Sequence, residues 1–251
     1  MWGIIPAAGT GSRIQPLAFS KELLPVGSYV TGGQERPRAV SEYLVERMVN
    51  AGVDKICFVI SPGKSDILDY FSGTALSATI FYAVQPQPAG LCDAIFRALP
   101  LIAPEEEVCI GLPDTIWFPE DALAHLPSGI LSLLLFPVQH PERFDAVITD
   151  EEGSVLEVRV KSAQISTKWI WGAFRMPGFV LAELHEIWKN RRDEYLGTLI
   201  NEYLARGGEA YGYKIGEAYV DVGTLGGYRE ALRLLSELSN DANCAAETAS
   251  A

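Results

Sequence analysis

Apolar runs rich in β-branched and aromatic residues recur along the first 140 positions: WGII at 2–5, KICFVI at 55–60, ATIFYAV at 78–84, EVCIGL at 107–112 and GILSLLLFPV at 129–138. Between them lie segments with apolar residues at helical spacing: VSEYLVERMVNAG at 40–52, KSDILDYF at 64–71 and LCDAIFRAL at 91–99. Near-continuous hydrophobic strands alternating with amphipathic helices predict βαβ units and a parallel sheet covered on both faces. In the first helix Val40, Tyr43, Leu44, Arg47 and Met48 share a face, and Gly52 is placed to stop it.

Beyond about residue 140 the pattern changes. FDAVITD and VLEVRVK alternate with period two and are joined by the turn-like DEEGS, which predicts an antiparallel hairpin. Helical spacing returns at 178–190, 195–206 and 225–238, with one strand, EAYGYKIG, between the second and third. The expected fold class is α/β: a doubly wound, mainly parallel sheet with an antiparallel extension in the C-terminal half. One domain over 1–238 is expected, with halves at 1–140 and 141–238, followed by a small, polar, disordered tail over 239–251. No internal repeat is visible.

Length and composition narrow the partners. A chain of 251 residues, 48% hydrophobic, can bury one large core without disulfide or metal staples. Thirty-two acidic residues against 20 basic ones give a formal charge of −12, the wrong sign for a surface that lies along nucleic acid or anionic lipid, so any phosphate must meet a local positive site. Cys57, Cys92, Cys109 and Cys244 form no CxxC pair, and three of them fall in apolar runs, which fits a reducing cytoplasm. No basic segment followed by an apolar stretch opens the chain, and no run approaches the ~20 apolar residues that span a bilayer. A soluble, cytoplasmic protein is expected.

The first strand runs into PAAGTGSRIQPLAFSKELLPVG, residues 6–27. A strand, a glycine-containing turn and a helix aim backbone N–H groups at an anion, and glycine lets a phosphate approach where a Cβ would intrude. Two familiar versions fail on spacing: a dinucleotide fingerprint from Gly9 needs a glycine where Ile14 stands, and a phosphate loop ending at GKS, residues 63–65, needs one where Phe58 stands. Asp114 and Asp221 each follow a short apolar strand, where open α/β sheets place ligands. The plain structural alternatives stay open here: Arg13 and Lys21 as solvated charges on a turn, Asp114 and Asp221 as caps, Gln85 as a strand end. His125, His140 and His185 fall in no motif, so a histidine-centred mechanism is not expected.

The AAGxGSR loop followed by SKELLPVG resembles the sugar-1-phosphate nucleotidyltransferases. LAFSKELLPVG and YAVQPQPAGLCDAI resemble glucose-1-phosphate thymidylyltransferases, and PAAG, GKSDILDYF and GLPDTIW resemble bacterial UDP-glucose pyrophosphorylases. The resemblance covers roughly residues 1–236 with the motifs in the family's order. It implies a Rossmann-like fold with a nucleotide-binding half over 1–140 and a sugar-binding half over 141–238. It also implies an enzyme that condenses dTTP or UTP with a hexose-1-phosphate, glucose-1-phosphate first, to NDP-sugar and pyrophosphate. By resemblance, Ala8, Gly9, Thr10, Gly11 and Ser12 hold the triphosphate, Arg13 neutralises departing pyrophosphate, and Lys21 reaches the phosphates at the reacting centre. Gln85 reads the base beside Gly90, Lys161 meets the sugar phosphate, and Asp145 and Gly172 fall at the sugar end. Asp114 and Asp221 hold Mg²⁺ in the family, which suits an ion that prefers a few carboxylates with phosphate oxygens and water. The expected partners are these small substrates and Mg²⁺, with neither nucleic acid nor membrane, and homo-oligomerisation is left open.

Three departures from the family's pattern mark this chain. Where the family carries EKP after the hairpin, the sequence has Val160, Lys161 and Ser162, removing a carboxylate that contacts sugar hydroxyls. Where the family often has Tyr-Gly it has Phe144 and Asp145, and where the family has Thr-Gly it has Trp171 and Gly172; Trp169 and Trp171 read more readily as core than as a sugar platform. TGGQERPR at 31–38 reads as a flexible, partly basic insertion. The departures keep two alternatives in view: the same fold with another sugar or base, or a silent relative that binds nucleotide or sugar phosphate and regulates a partner. An oxidoreductase is disfavoured by the missing third glycine.

Overall fold

The structure is a computed structural model and describes residues 1–193 and 195–249, the side chains of 239–249 excepted. In chain order the elements are β1 (Trp2–Pro6), β2 (Pro25–Thr31), β3 (Gln34–Ala39), α1 (Val40–Asn50), β4 (Lys55–Ile60), α2 (Ser65–Phe71), β5 (Thr74–Ala75), β6 (Ala78–Val84) and α3 (Gly90–Arg97). They continue as β7 (Glu107–Gly111), β8 (Thr115–Phe118), β9 (Leu131–Pro137), β10 (Asp145–Thr149), β11 (Val155–Val160) and β12 (Trp169–Pro177). The chain then forms α4 (Gly178–Arg191), α5 (Leu196–Ala205), β13 (Ala210–Tyr213), β14 (Ala218–Asp221) and α6 (Leu225–Ala249). The expected disordered tail falls on 239–251; its side chains, and all of 250 and 251, lie outside the described residues.

The centre of the fold is parallel: β1 pairs with β4 on one side and β7 on the other, and β6 follows β4. These strands are apolar throughout because both faces are covered. α1 and α2 contribute Leu44, Met48, Ile67 and Phe71 to one cluster with Ile5, Ile56 and Phe58, while α3, α4 and α5 contribute Ile95, Leu181 and Leu199 to a second cluster with Ile4, Val59 and Ile110 on the other face. All five residues expected on the buried face of α1 are buried, Arg47 included. Gly52, just past the end of α1, takes φ +89°, the conformation glycine adopts most readily.

The second half extends the sheet with antiparallel strands. β12 pairs with β7, β10 and β9, and β10 with β11, giving the path β11-β10-β12-β7-β1-β4-β6-β5, with β9 beside β12 and β13 added to β9 in parallel. The expected hairpin is present in the expected place. The 31–38 insertion differs from expectation: it forms most of β3, which pairs with β2 in a hairpin of its own.

Order along the parallel centre positions the site. From β1 the chain winds outward through β4 and β6, then returns to the other side of β1 as β7, so the winding direction switches between β1 and β7. Loops at the C-terminal ends of adjacent strands diverge at such a point and leave a crevice. The loops after β1 and β7 are 7–20 and 112–114.

Candidate active site

The loop after β1 is anchored at its start and open at its middle. The Ala7 N–H donates to the carbonyl of Val59 on β4 at 2.8 Å, and Ala7 and Ala8 are buried. Gly9, Thr10 and Ser12 are exposed, and among the described residues the amides of Gly9, Thr10, Gly11 and Ser12 meet no protein acceptor. Gly11 holds φ +66°, and a Cβ there would sit 2.9 Å from Cδ of Lys21, so a side chain is excluded both by conformation and by the close approach of Lys21.

Lys21 leaves a single 3₁₀ turn, Lys21–Leu23, and reaches Asp114 Oδ2 through its ammonium. Burial works to lower the pKa of that ammonium, but Asp114, Glu22 and Asp221 together leave it above the ordinary lysine value, so it stays charged. Asp114 ends the loop after β7. Asp221 ends β14, which pairs antiparallel with β8 so that Asp221 lies opposite Thr115 and the Val222 N–H donates to the Asp114 carbonyl at 2.8 Å. Two acids 107 positions apart are thereby made neighbours by a short ribbon. Leu24, Val26, Val40, Tyr43, Ile116, Val220, Val222 and Ala231 form a small core beneath it.

Gly223 shows how closely the acids converge. A Cβ there would lie 2.7 Å from Asp114 Oδ2, 2.8 Å from Asp221 Oδ1 and 3.3 Å from Arg13 Nη2. Its N–H donates to Asp221 Oδ1 at 2.8 Å, and Arg13 Nη1 donates to Asp221 Oδ2 at 3.1 Å. Burial, and next the Asp114 charge, raise the Asp221 pKa against the pull of Arg13. Two half-compensated carboxylates facing one point fit a small divalent cation. No group of three or more His, Cys, Asp or Glu that could hold a metal occurs among the described residues, so such an ion would complete its shell with phosphate and water, as Mg²⁺ does.

Gln85 and Gly90, expected at the base, form their own assembly. Gln85 is buried, and its amide nitrogen donates to the Gly90 carbonyl at 3.1 Å and to Asp93 Oδ2 at 2.8 Å; Asp93 is held in turn by Arg97. Both amide hydrogens are thus used to fix the start of α3, where Gly90 takes φ +83°. The Gln85 oxygen accepts nothing from the described residues and remains available.

At the far end, Asp145 pairs with Val160 on β11, and the next residue, Ala146, pairs with Ile170 on β12. Burial raises its pKa; the Trp171 indole and the Lys161 ammonium oppose the shift, although the indole N–H faces Asp145 without hydrogen-bond geometry. Lys161, at φ +42°, points its ammonium over the Tyr195 ring at 4.6 Å. Gly172 sits at the register shift of β12, where a Cβ would meet Phe136 at 2.5 Å and Tyr219 at 3.0 Å. This close approach explains the glycine structurally. Trp171 is core, packed on Phe174 at 4.6 Å between ring centroids.

The structure therefore brings Gly11, Arg13, Lys21, Asp114 and Asp221 together, sets Gln85 and Gly90 in a second group, and leaves Asp145, Lys161 and Gly172 in a third. Sequence reasoning missed Gly223, which follows the Asp-Val of AYVDVGT; Asp93; and Tyr219, whose phenol pKa is driven far up by burial and then by Asp221, Asp114 and Asp145. It also missed Glu22, Lys64 and Asp66, none of which stands in a phosphate-loop spacing.

A doubly wound sheet with an open amide loop and paired carboxylates at its switch point defines a nucleotide-handling α/β enzyme. Residues 2–237 match the Nucleotidyl transferase family model, and the chain belongs to that family. It is 25% identical over 255 residues to a glucose-1-phosphate thymidylyltransferase of Neisseria gonorrhoeae, covering 97% of this chain and 85% of that one. To a protein of the same name from Mycolicibacterium smegmatis it is 25% identical over 237 residues, covering 89% and 78%. The UTP-bound UGPase from Acinetobacter baumannii shares the fold, with a TM-score of 0.76 at 20% identity over 93% of this chain and 92% of that one. No helix among the described residues is long and apolar enough to cross a membrane.

Proposed function

We propose that this chain is a sugar-1-phosphate nucleotidyltransferase that condenses dTTP or UTP with a hexose-1-phosphate, glucose-1-phosphate first among them, to an NDP-sugar and pyrophosphate. The observation that carries this reading is the convergence of Asp114 and Asp221 on Gly223, faced by Lys21 and Arg13, under a loop of open amides. The names of the relatives support the substrate class. The free Gln85 oxygen supports the base, since it accepts from the imide N–H that thymine and uracil carry and cytosine lacks.

In the reaction a sugar-phosphate oxygen bonds to the α-phosphorus while the bond from that phosphorus to the pyrophosphate oxygen breaks in line. The attacking oxygen is already ionised at neutral pH and no proton has to move, so positioning and charge neutralisation are the whole task. Gly9, Gly11 and the adjoining amides of Ala8, Thr10 and Ser12 hold the triphosphate. Arg13 balances the departing pyrophosphate, and Lys21 exchanges Asp114 for phosphate oxygens at the reacting centre. Gly90 lets the base lie against backbone, Lys161 meets the sugar phosphate, and Asp145 and Gly172 border the sugar. Asp114 and Asp221 would hold Mg²⁺, which supplies positive charge shared with phosphate oxygens when bound. Cys57, Cys92 and Cys109 are buried, and burial pushes the Cys57 thiol pKa up to about 11 and that of Cys109 to about 12.

The test is pyrophosphate release across dTTP, UTP and the other common nucleotides against glucose-, galactose-, mannose- and N-acetylglucosamine-1-phosphate, with Mg²⁺ and with chelator. One metal-dependent pair well above the rest is expected. Silence across the grid in folded protein overturns the reading.

A further inference from the structure

The GKS triplet at 63–65 fails as a phosphate loop, yet its lysine is buried. Lys64, at the start of α2, points its ammonium at Glu22 and donates to both carboxylate oxygens, at 2.8 and 2.7 Å. Glu22 is wholly buried and is the residue after Lys21. Two positions further on, Asp66 accepts from the Ser20 N–H at 2.6 Å and from the Ser20 hydroxyl at 2.7 Å. The first turn of α2 thus grips both residues that flank Lys21, and Lys21 is left to point the other way, at Asp114. A fifth bond, from the Ser41 hydroxyl to the Glu22 carbonyl at 2.7 Å, holds the same turn from α1.

A buried ion pair is an expensive way to hold a turn, because desolvation offsets much of the attraction, and packed apolar residues often serve stability as well or better. Here the charge has a local use. A buried, unpaired carboxylate next to Lys21 would draw that ammonium to itself, in competition with phosphate. Lys64 supplies Glu22 with its own cation, and charges alternate from Lys64 through Glu22 and Lys21 to Asp114. The order keeps Lys21 free to leave Asp114 for a phosphate oxygen while its backbone stays fixed.

We propose that Lys64 and Asp66 are positioning residues for Lys21: Lys64 by neutralising Glu22, Asp66 by pinning Ser20. The inference rests on the role given to Lys21 above. It concerns the reacting centre and not the grip on the triphosphate, so the effect falls on kcat and leaves the nucleotide KM nearly unchanged.

The experiment measures kcat and nucleotide KM for the pair that the wild type turns over best, with thermal unfolding run on every variant. Lys64→Met, close in volume and uncharged, is expected to lower kcat about 30-fold with KM within about threefold. The double variant Glu22→Gln/Lys64→Met removes both buried charges and is expected to recover most of that loss, so the two substitutions are strongly non-additive. A merely structural role predicts the opposite: the double variant as slow as or slower than Lys64→Met, or a folded Lys64→Met with wild-type kcat, and either result overturns the proposal. Should Lys64→Met fail to fold, Asp66→Asn carries the test; it weakens only the grip on Ser20 and is expected to lower kcat about fivefold at constant KM, and wild-type kcat overturns the proposal. Lys21→Met in the same assay separates the layers. Loss of turnover there with Lys64→Met unaffected sinks this inference alone, while a wild type silent on every pair sinks the proposed function and this inference with it.

Discussion

The cluster proposed to meet the phosphates, the phosphate end, and the cluster proposed to meet the sugar, the sugar end, are built differently. At the phosphate end every charged group is bonded to another: Arg13 to Asp221, Lys21 to Asp114, Glu22 to Lys64, with one glycine between the acids. At the sugar end Asp145 has no ion-pair partner within bonding distance among the described residues, Lys161 rests on an aromatic ring, and Gly172 answers to Phe136. Opposed charges in a half-buried site are pre-organised before substrate arrives, because each holds the next. A site that must accept one sugar and reject others works through shape and single hydrogen bonds, which leave fewer constraints within the protein itself.

If that contrast is right, substitutions at the phosphate end should abolish turnover while sparing the fold, and those at the sugar end should do the reverse or change substrate preference. The largest effect is expected for Lys21→Met, with kcat down about a thousandfold in steady-state pyrophosphate release and thermal unfolding near wild type. Asp114→Asn and Asp221→Asn are expected to follow, each lowering turnover about a hundredfold and blunting the response to added Mg²⁺. Either variant at wild-type rate in Mg²⁺ would remove the metal assignment. Gly172→Ala tests the other end: its Cβ collides with the Phe136 ring, and the overpacking is expected to cost about 1–3 kcal/mol, read as a lower Tm. A Tm unchanged with an altered sugar preference would instead make the glycine a ligand contact.

The smallest expected effect is a pH-dependent one at Asp145. Its folded pKa is raised above the unfolded value, so folding favours the protonated carboxyl. Its contribution to stability is present below the unfolded carboxylate pKa, about 4, and is lost as pH rises through the folded value. Asp145→Asn should therefore raise Tm relative to wild type at pH 7, with the difference vanishing below about pH 4. A Tm difference that does not change with pH would place the effect in packing.

Much of the fold was legible because apolar periodicity reports burial directly: unbroken runs marked the strands covered on both faces, and the α1 face was right in every residue. The β2–β3 hairpin was missed because QERPRA is polar and proline-bearing, and an exposed two-stranded ribbon needs no apolar alternation. β8 was missed because four residues beside a proline carry too short a period to read. At the site, the AGTGSR loop, Lys21, Asp114 and Asp221 could be named because each stands beside a strand end or within a motif. Glu22 and Lys64, separated by 42 positions, could not, since a lysine and a glutamate in a sequence are ordinarily surface charges.

By itself, then, the sequence determined the kinds of element, the covered strands and the residue types available for phosphate, because these depend on local conformation and on hydrophobicity along the chain. Only the tertiary structure decided which charges pair, that Gly223 separates the two acids, that Gln85 spends its amide hydrogens on α3, and that α2 holds both neighbours of Lys21. Those are facts of distance between segments far apart in the chain, and the strength of a charge interaction depends on separation and burial, neither of which a linear order of residues contains.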